Sequence, residues 1–436
     1  AARTPRIPRP LAVALAVAVV AFYLANAYGS PLSAFLLQGK WLPLAVLTLV
    51  GLTMLRDRPA PRLPMTMLIP LSAMFLVAGA GIRGSIDPAY SLMSWITICG
   101  SIVCGYVVSA MVVATDSRRA YFELLARVGR IFVVVTALMA ILGLNLGRGT
   151  GLSAWSDNPN TLAAILSPAM IIFVAGCLER RPGWIIWHAP FFLLTFALVW
   201  ATGARSSIVW LGLSLAAFWL YRRGPGVAVF GVILALIIGI GWWFPIKEFL
   251  IETLGLRWEV RMGGVSPLSG REEVWRIGWQ LFWERPITGY GLGSSQDVIR
   301  GEAWKFVKHQ GLHFHSSYLM AAVEMGIFGF FAFMAVLLTT LVRAISDSAR
   351  TAVLPRESWP LAALPFALVF GAMGHALFES WLLASGNANM MLFWTWVWMI
   401  YHQAQVKVRA VAVSEPERTT PGAALPARSS AALPAR

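Results

Sequence analysis

Apolar residues run along this chain in stretches near twenty residues long, separated by short polar turns. A helix needs about 20 such residues to cross the roughly 30 Å hydrocarbon core of a bilayer. The pattern predicts twelve spans, near 11–28, 41–55, 64–82, 89–114, 131–146, 161–178, 184–202, 206–221, 226–244, 317–342, 359–380 and 387–405. Period-two alternation over ten-residue segments is absent, which excludes a membrane β-barrel. The expected fold is therefore an all-α polytopic membrane protein with about twelve transmembrane helices. Leu11–Tyr28 has the length of a signal peptide but no clear small-residue cleavage site, and more spans follow, so it reads as a retained first helix. The second span is short, with a break near Gly39 and Lys40.

The pattern breaks once. Residues 245–316 collect arginine, histidine and glycine. The organisation expected is residues 1–244 as transmembrane helices 1–9, 245–316 as a large loop with amphipathic helices, 317–405 as helices 10–12, and 406–436 as a disordered tail rich in Ala, Pro, Arg and Ser. Placing the N-terminus in the cytoplasm puts 22 of the 35 basic residues in cytoplasmic segments, and every short loop then obeys the positive-inside rule. Nine of the other 13 lie in 245–316, leaving Lys40, Arg83, Arg148 and Arg205 for the remaining outer loops. Arginines concentrated against the bias point to an anionic ligand.

Composition narrows the classes. The chain has 436 residues, 58% hydrophobic and 13% charged, with a mean hydropathy of +0.68. A soluble domain carries about 25% charged residues. The net charge of +15 follows from the loop arginines, and no basic stripe on a soluble module indicates nucleic acid. Cys99, Cys104 and Cys177 fall within apolar spans and read as small core residues. No cofactor is indicated; the partners expected are membrane lipids and an anionic substrate.

Candidate chemistry gathers on the outer side. Ser269 and Glu272 have capping-box spacing, and Trp275, Gly278, Trp279 and Phe282 recur at helical spacing, which predicts an amphipathic helix ending before Pro286. Arg271 sits in its first turn, where a fixed cation beside free N–H groups suits a phosphate; an ion pair with Glu272 or Glu273 accounts for it equally well. Gly289, Gly291 and Gly293 form a turn that permits close backbone approach to a ligand, although a simple loop also needs glycine. His309, His313 and His315 cluster before Tyr318. The spacing offers two ligands and no matching carboxylate, so a metal site is not expected; a neutral histidine suits general-base work on a sugar hydroxyl. Arg205 follows a tight turn at a span end. Asp157, Asn158 and Asn160 open another span, where capping is the simplest role, assigned to Asp157. His375 and Glu379 lie four apart in the eleventh span, either paired with each other or lining the site.

Ser269-Gly270-Arg271 with Trp275, then Pro286, Gly289, Gly291 and Gly293, then His315-Ser316-Ser317-Tyr318-Leu319, resembles the O-antigen ligase and polymerase superfamily. The turns at Arg205 and at Asn158-Pro159-Asn160 fit the same pattern. The ordered motifs cover roughly 150–330. Ser316 departs from it, since many relatives carry asparagine there. The resemblance implies a metal-independent GT-C-type glycosyltransferase of the bacterial inner membrane, acting at the periplasmic face. The donor is an undecaprenyl-diphosphate-linked glycan and the ligase acceptor is lipid A–core. Arg205 and Arg271 would hold the diphosphate and His315 would act as general base. Asn158, Asn160, Gly291, Gly293, His313, Tyr318, His375 and Glu379 would line the substrate site. A polymerase or a protein O-oligosaccharyltransferase is the nearest alternative. A transporter of anions or lipid-linked glycans is the more distant one, since it calls for charged groups and broken helices near the midplane.

Overall fold

The computed structural model describes residues 6–27, 39–58, 61–147, 151–179, 184–223, 271–302, 313–351 and 359–414. Among them are thirteen α-helices and no strand. They are α1 Arg9–Leu24, α2 Trp41–Leu55, α3 Met65–Ala80, α4 Pro88–Ala114, α5 Arg118–Ile141, α6 Pro159–Leu178, α7 Trp184–Thr202, α8 Arg205–Arg223, α9 Arg271–Glu284, α10 Ser295–Gly301, α11 Ser317–Thr351, α12 Trp359–His375 and α13 Ala388–Ser414. Eleven of the twelve expected spans coincide with one of these helices. The ninth expected span, 226–244, lies outside the described residues, as do Ser269, Gly270 and His309. Six helices are long and apolar enough to cross a membrane, and α1, α2 and α12 are shorter apolar helices.

Helix starts follow local chemistry. Pro88 and Pro159 sit at first helical positions, where a missing N–H costs nothing. Asp87 caps α4 by accepting from the Tyr90 N–H at 2.9 Å. Asn158 caps α6 by accepting from Thr161 N–H at 2.9 Å. The capping role assigned to Asp157 therefore belongs to its neighbour: Asp157 instead accepts from the Asn158 N–H at 2.8 Å, pre-shaping the turn.

The packing has a buried axis and a lipid-like rim. α6 buries almost every residue from Leu162 to Gly176, and α13 contributes Trp394, Trp396 and Trp398 to the interior. α12 packs on α8, where Gly371 brings the chains so close that a Cβ would lie 2.3 Å from Ser214 Oγ. In contrast α3 and α5 expose Ile69, Leu76, Ile131 and Leu138. Bare apolar helix faces suit hydrocarbon and are costly in water.

Two departures from the expected spans have visible causes. α11 contains a kink at Gly326, with φ 66° and ψ −171°. Its 35 residues would extend about 50 Å as a straight helix, more than a bilayer core. At the kink the Ile327 N–H donates to the Pro286 carbonyl at 2.7 Å, so the outer loop wedges into the break. The broken helix is thus accounted for by loop docking. At the other end α13 continues to Ser414, past Gln405 where the tail was expected to begin. No proline or glycine intervenes before Pro416.

Candidate functional site

The turns of one bundle end meet. Asp157 N–H donates to the Asn26 carbonyl at 3.0 Å, Leu152 N–H to Ala201 at 3.0 Å, and Ser317 N–H to Ala376 at 2.9 Å. This end gathers Asn26 after α1, the 151–158 segment, the α7–α8 turn, the start of α11 and the segment after α12.

The segment after α12 organises the site. His375 and Glu379 were expected on one helical face, but α12 stops at His375. The carbonyls that would continue the helix are taken by other segments. Ala376 O accepts from Ser317 N–H, Phe378 O accepts from Arg271 Nη1, and Glu379 O accepts from Ser317 Oγ at 2.7 Å. Ser317 Oγ in turn accepts from the N–H groups of Trp381 at 3.0 Å and Leu382 at 3.2 Å. One hydroxyl thus pins this turn to the start of α11.

Glu379 sits at the centre. Arg271 Nη2 donates to its Oε1 at 2.8 Å, and His315 Nδ1 lies 3.5 Å from its Oε2. Both members of the Arg271–Glu379 pair have side chains 15% exposed. Burial alone would raise the Glu379 pKa. The contact with His315, then the charges of Arg271, His315 and His375, outweigh it and hold the carboxyl at about 2. Sequence considered Glu272 or Glu273 as the partner of Arg271; the structure adds a long-range one, Glu379.

His315 adopts φ 49°, a left-handed conformation that costs a non-glycine residue about 1–3 kcal/mol. The flanks hold it there. Phe314 is fully buried, its carbonyl accepts from Trp275 Nε1 at 2.9 Å, and its ring lies 2.9 Å from where a Cβ on Gly278 would sit. After the turn, Ser316 N–H donates to Ser380 Oγ at 2.9 Å, and Ser316 Oγ accepts from Leu319 N–H at 3.3 Å. Ser316 thus anchors the turn on both sides.

α9 turns only part of its aromatic set to the bundle. Val274, Ile277, Gly278, Leu281 and Phe282 are buried, whereas Trp279 and Trp283 are 54% and 60% exposed. The helix splits its aromatics between the bundle and an outward face.

Other candidates distribute around this centre. Arg205 opens α8; its pKa is lowered, mainly by burial and then by the nearby Arg271 cation. The His313 ring centroid is 6.2 Å from that of His315. Desolvation and then His315 lower the His313 pKa, against pulls from the Glu379 and Asp157 carboxylates, which ties Asp157 to the same locality. His375 is fully buried behind Glu379, where its Nδ1 accepts from Trp381 Nε1 at 2.7 Å. The Tyr318 hydroxyl donates to the Met373 carbonyl at 2.8 Å. Asn158 is committed as a cap, and Asn160 is half-buried in the first turn of α6.

The glycine turn packs on protein. Gly291 and Gly293 have φ of 98° and 84°; side chains there would meet Ser85 and Ser94 oxygens at 2.3 Å. Close approach to α4 accounts for these glycines. Ser317, Ser380 and the Phe378 carbonyl escaped sequence reasoning. The Ser-Tyr-Leu motif contained Ser317, but only long-range pairing reveals its role. Among the described residues no three His, Cys, Asp or Glu side chains group as a metal site would.

A polytopic helical membrane protein whose loops assemble two arginines, a carboxylate and two histidines at one bundle end is the class defined here. Residues 189–334 match the family model described as O-Antigen ligase. The match covers about a third of the chain and supports an O-antigen ligase family assignment. The matched stretch contains Arg205, Arg271, His313, His315 and Tyr318, and stops before Glu379. No curated protein matched the chain.

Proposed function

We propose that this protein is an O-antigen ligase of the bacterial inner membrane. Its termini lie in the cytoplasm and its site in the periplasm. It moves a glycan from undecaprenyl diphosphate to lipid A–core. The observation that carries this reading is the convergence of Arg271 and His315 on Glu379, with Arg205 alongside.

The donor is already activated, because a lipid diphosphate is a good leaving group. The chain's own residues have three tasks. Arg205 and Arg271 neutralise the diphosphate. Arginine stays charged and its planar fork donates to paired oxygens; Arg271 commits Nη1 and Nη2, which leaves further N–H groups in the fork. His315 takes the proton of the acceptor hydroxyl on Nε2. Its Nδ1 side faces Glu379, so the carboxylate orients the ring and stabilises the imidazolium once formed. The acceptor oxygen then bonds to the anomeric carbon as the carbon–oxygen bond to diphosphate breaks. The electron pair leaves with the diphosphate, where charge-assisted hydrogen bonds strengthen. Direct displacement inverts the anomeric centre.

Complementation of a Gram-negative strain lacking its own ligase, with a matched lipid-linked glycan and core, tests the reading. The expected result is a restored lipopolysaccharide ladder that disappears with Arg271→Ala. Elongation of the lipid-linked glycan itself, with no ladder on lipid A–core, would instead make the protein a polymerase using the same site.

A further inference from the structure

At the opposite bundle end, α5 and α7 enclose a cavity of about 220 Å³ lined by Glu123, Ala126, Arg127, Arg130, Trp187 and His188. The loop arginines assign this end to the cytoplasm. Arg130 lines it: its guanidinium carbon sits 5.8 Å from the Phe173 ring centroid and 5.5 Å from that of Phe191. Arg130 Nη2 is 3.4 Å from His188 Nε2. A guanidinium only donates, so that nitrogen is the acceptor. The buried Arg130 Nε makes no hydrogen bond among the described residues. The one carboxylate in the cavity, Glu123, is 3.9 Å from Arg127, whose side chain is 70% exposed. The nearby Glu179 is engaged by Arg119 through two bonds, at 2.8 and 3.2 Å. Arg130 is thus a partly buried cation set against two aromatic rings, and among the described residues the one acid lining the cavity lies beside Arg127.

The cavity rim is apolar. Trp187 is 65% exposed and Ile186 72%, and α5 exposes Ile131, Val134, Val135 and Leu138 in line below it. Basic pockets between membrane helices on the cytoplasmic side take anionic headgroups. An interfacial tryptophan and a bare helix face suit glycerol and acyl chains. We propose that this cavity is a second anion site, separate from the glycan-transfer site. In it Arg130 and Arg127 take the phosphate of an anionic phospholipid whose tail lies along α5. An inorganic phosphoanion shares the headgroup chemistry but would not use the apolar rim.

The test uses the full-length protein in neutral detergent, measuring thermal stabilisation by phosphatidylglycerol, phosphatidylcholine and inorganic phosphate. Stabilisation by phosphatidylglycerol, weakened about tenfold or more in apparent affinity by Arg130→Gln, is the expected result. Arg127→Gln, at an exposed position that cannot upset packing, is expected to weaken it about two- to threefold. Arg58→Gln, in another basic loop, is expected to change nothing. Equal stabilisation by inorganic phosphate, lost in the same two variants, would support the site with a soluble ligand. Equal response to phosphatidylcholine, or unchanged binding in both cavity variants, would overturn it.

Discussion

Two arginine–glutamate pairs mark the two ends of this bundle, and they are built differently. Arg119 closes its fork on Glu179 with both nitrogens on both oxygens. The pair fastens the start of α5 to the end of α6. Arg271 divides its fork, giving one nitrogen to the Phe378 carbonyl and the other to a single Glu379 oxygen. The second Glu379 oxygen is turned toward His315. A closed fork spends its directionality on a clamp. A divided fork orients a third group and keeps donors for a ligand.

The sharpest way to break this comparison is to remove the divided pair's partners. His315→Ala is expected to cut glycan transfer by about 10²–10⁴-fold, and Arg271→Ala to abolish the lipopolysaccharide ladder, with both proteins still folding and inserting and Arg271→Ala melting lower as Glu379 loses its cation. Transfer near the parent level in either variant would remove that residue from the chemistry. At the other end, Arg119→Ala leaves Glu179, 4% exposed, without its main cation. A loss of about 3–5 kcal/mol in stability is expected, with transfer per folded molecule unchanged. Thermal unfolding in detergent, normalised against activity, separates the two outcomes.

Ser317→Ala probes what holds the divided pair in place. It removes one donor and strands two N–H groups, which costs about 1–3 kcal/mol. The expected signature is a reduced turnover with near-normal donor affinity, because the turn carrying Glu379 loosens while Arg205 stays. A change confined to protein yield would assign Ser317 to folding alone. Acid should act on the same pair. Glu379 has a folded pKa of about 2, below its ordinary value near 4.5, so its contribution is present above pH 4.5 and lost as pH falls toward 2. A Glu379→Gln variant should flatten the stability profile across that window. The smallest effect is expected from Tyr318→Phe. Loss of the bond to Met373 costs about 0.5–1.5 kcal/mol, and transfer should stay intact, since this hydroxyl points into α12.

Much of this molecule was legible from the chain. Apolar run length predicted the helices, because a span must satisfy its backbone internally and clothe itself in hydrocarbon-compatible side chains. Arginine placement sorted the turns by side, and in the structure backbone bonds join Asp157 to Asn26 and Leu152 to Ala201. Arg271 and His315 were found because charge and imidazole are conspicuous among apolar residues. Helical periodicity misled in one place. It put Glu379 on the face of His375, and contacts from distant segments decided otherwise.

The sequence alone determined which residues are apolar enough to be buried in a membrane and which few are not. Both follow from side-chain transfer energies, a local property. Only the tertiary structure decided that α12 ends at His375, that Ser317 ties two turns together, and that Glu379 faces both Arg271 and His315. Those facts depend on carbonyls and hydroxyls being claimed across separations of 62 and 107 residues, and no periodicity records which distant donor will claim them.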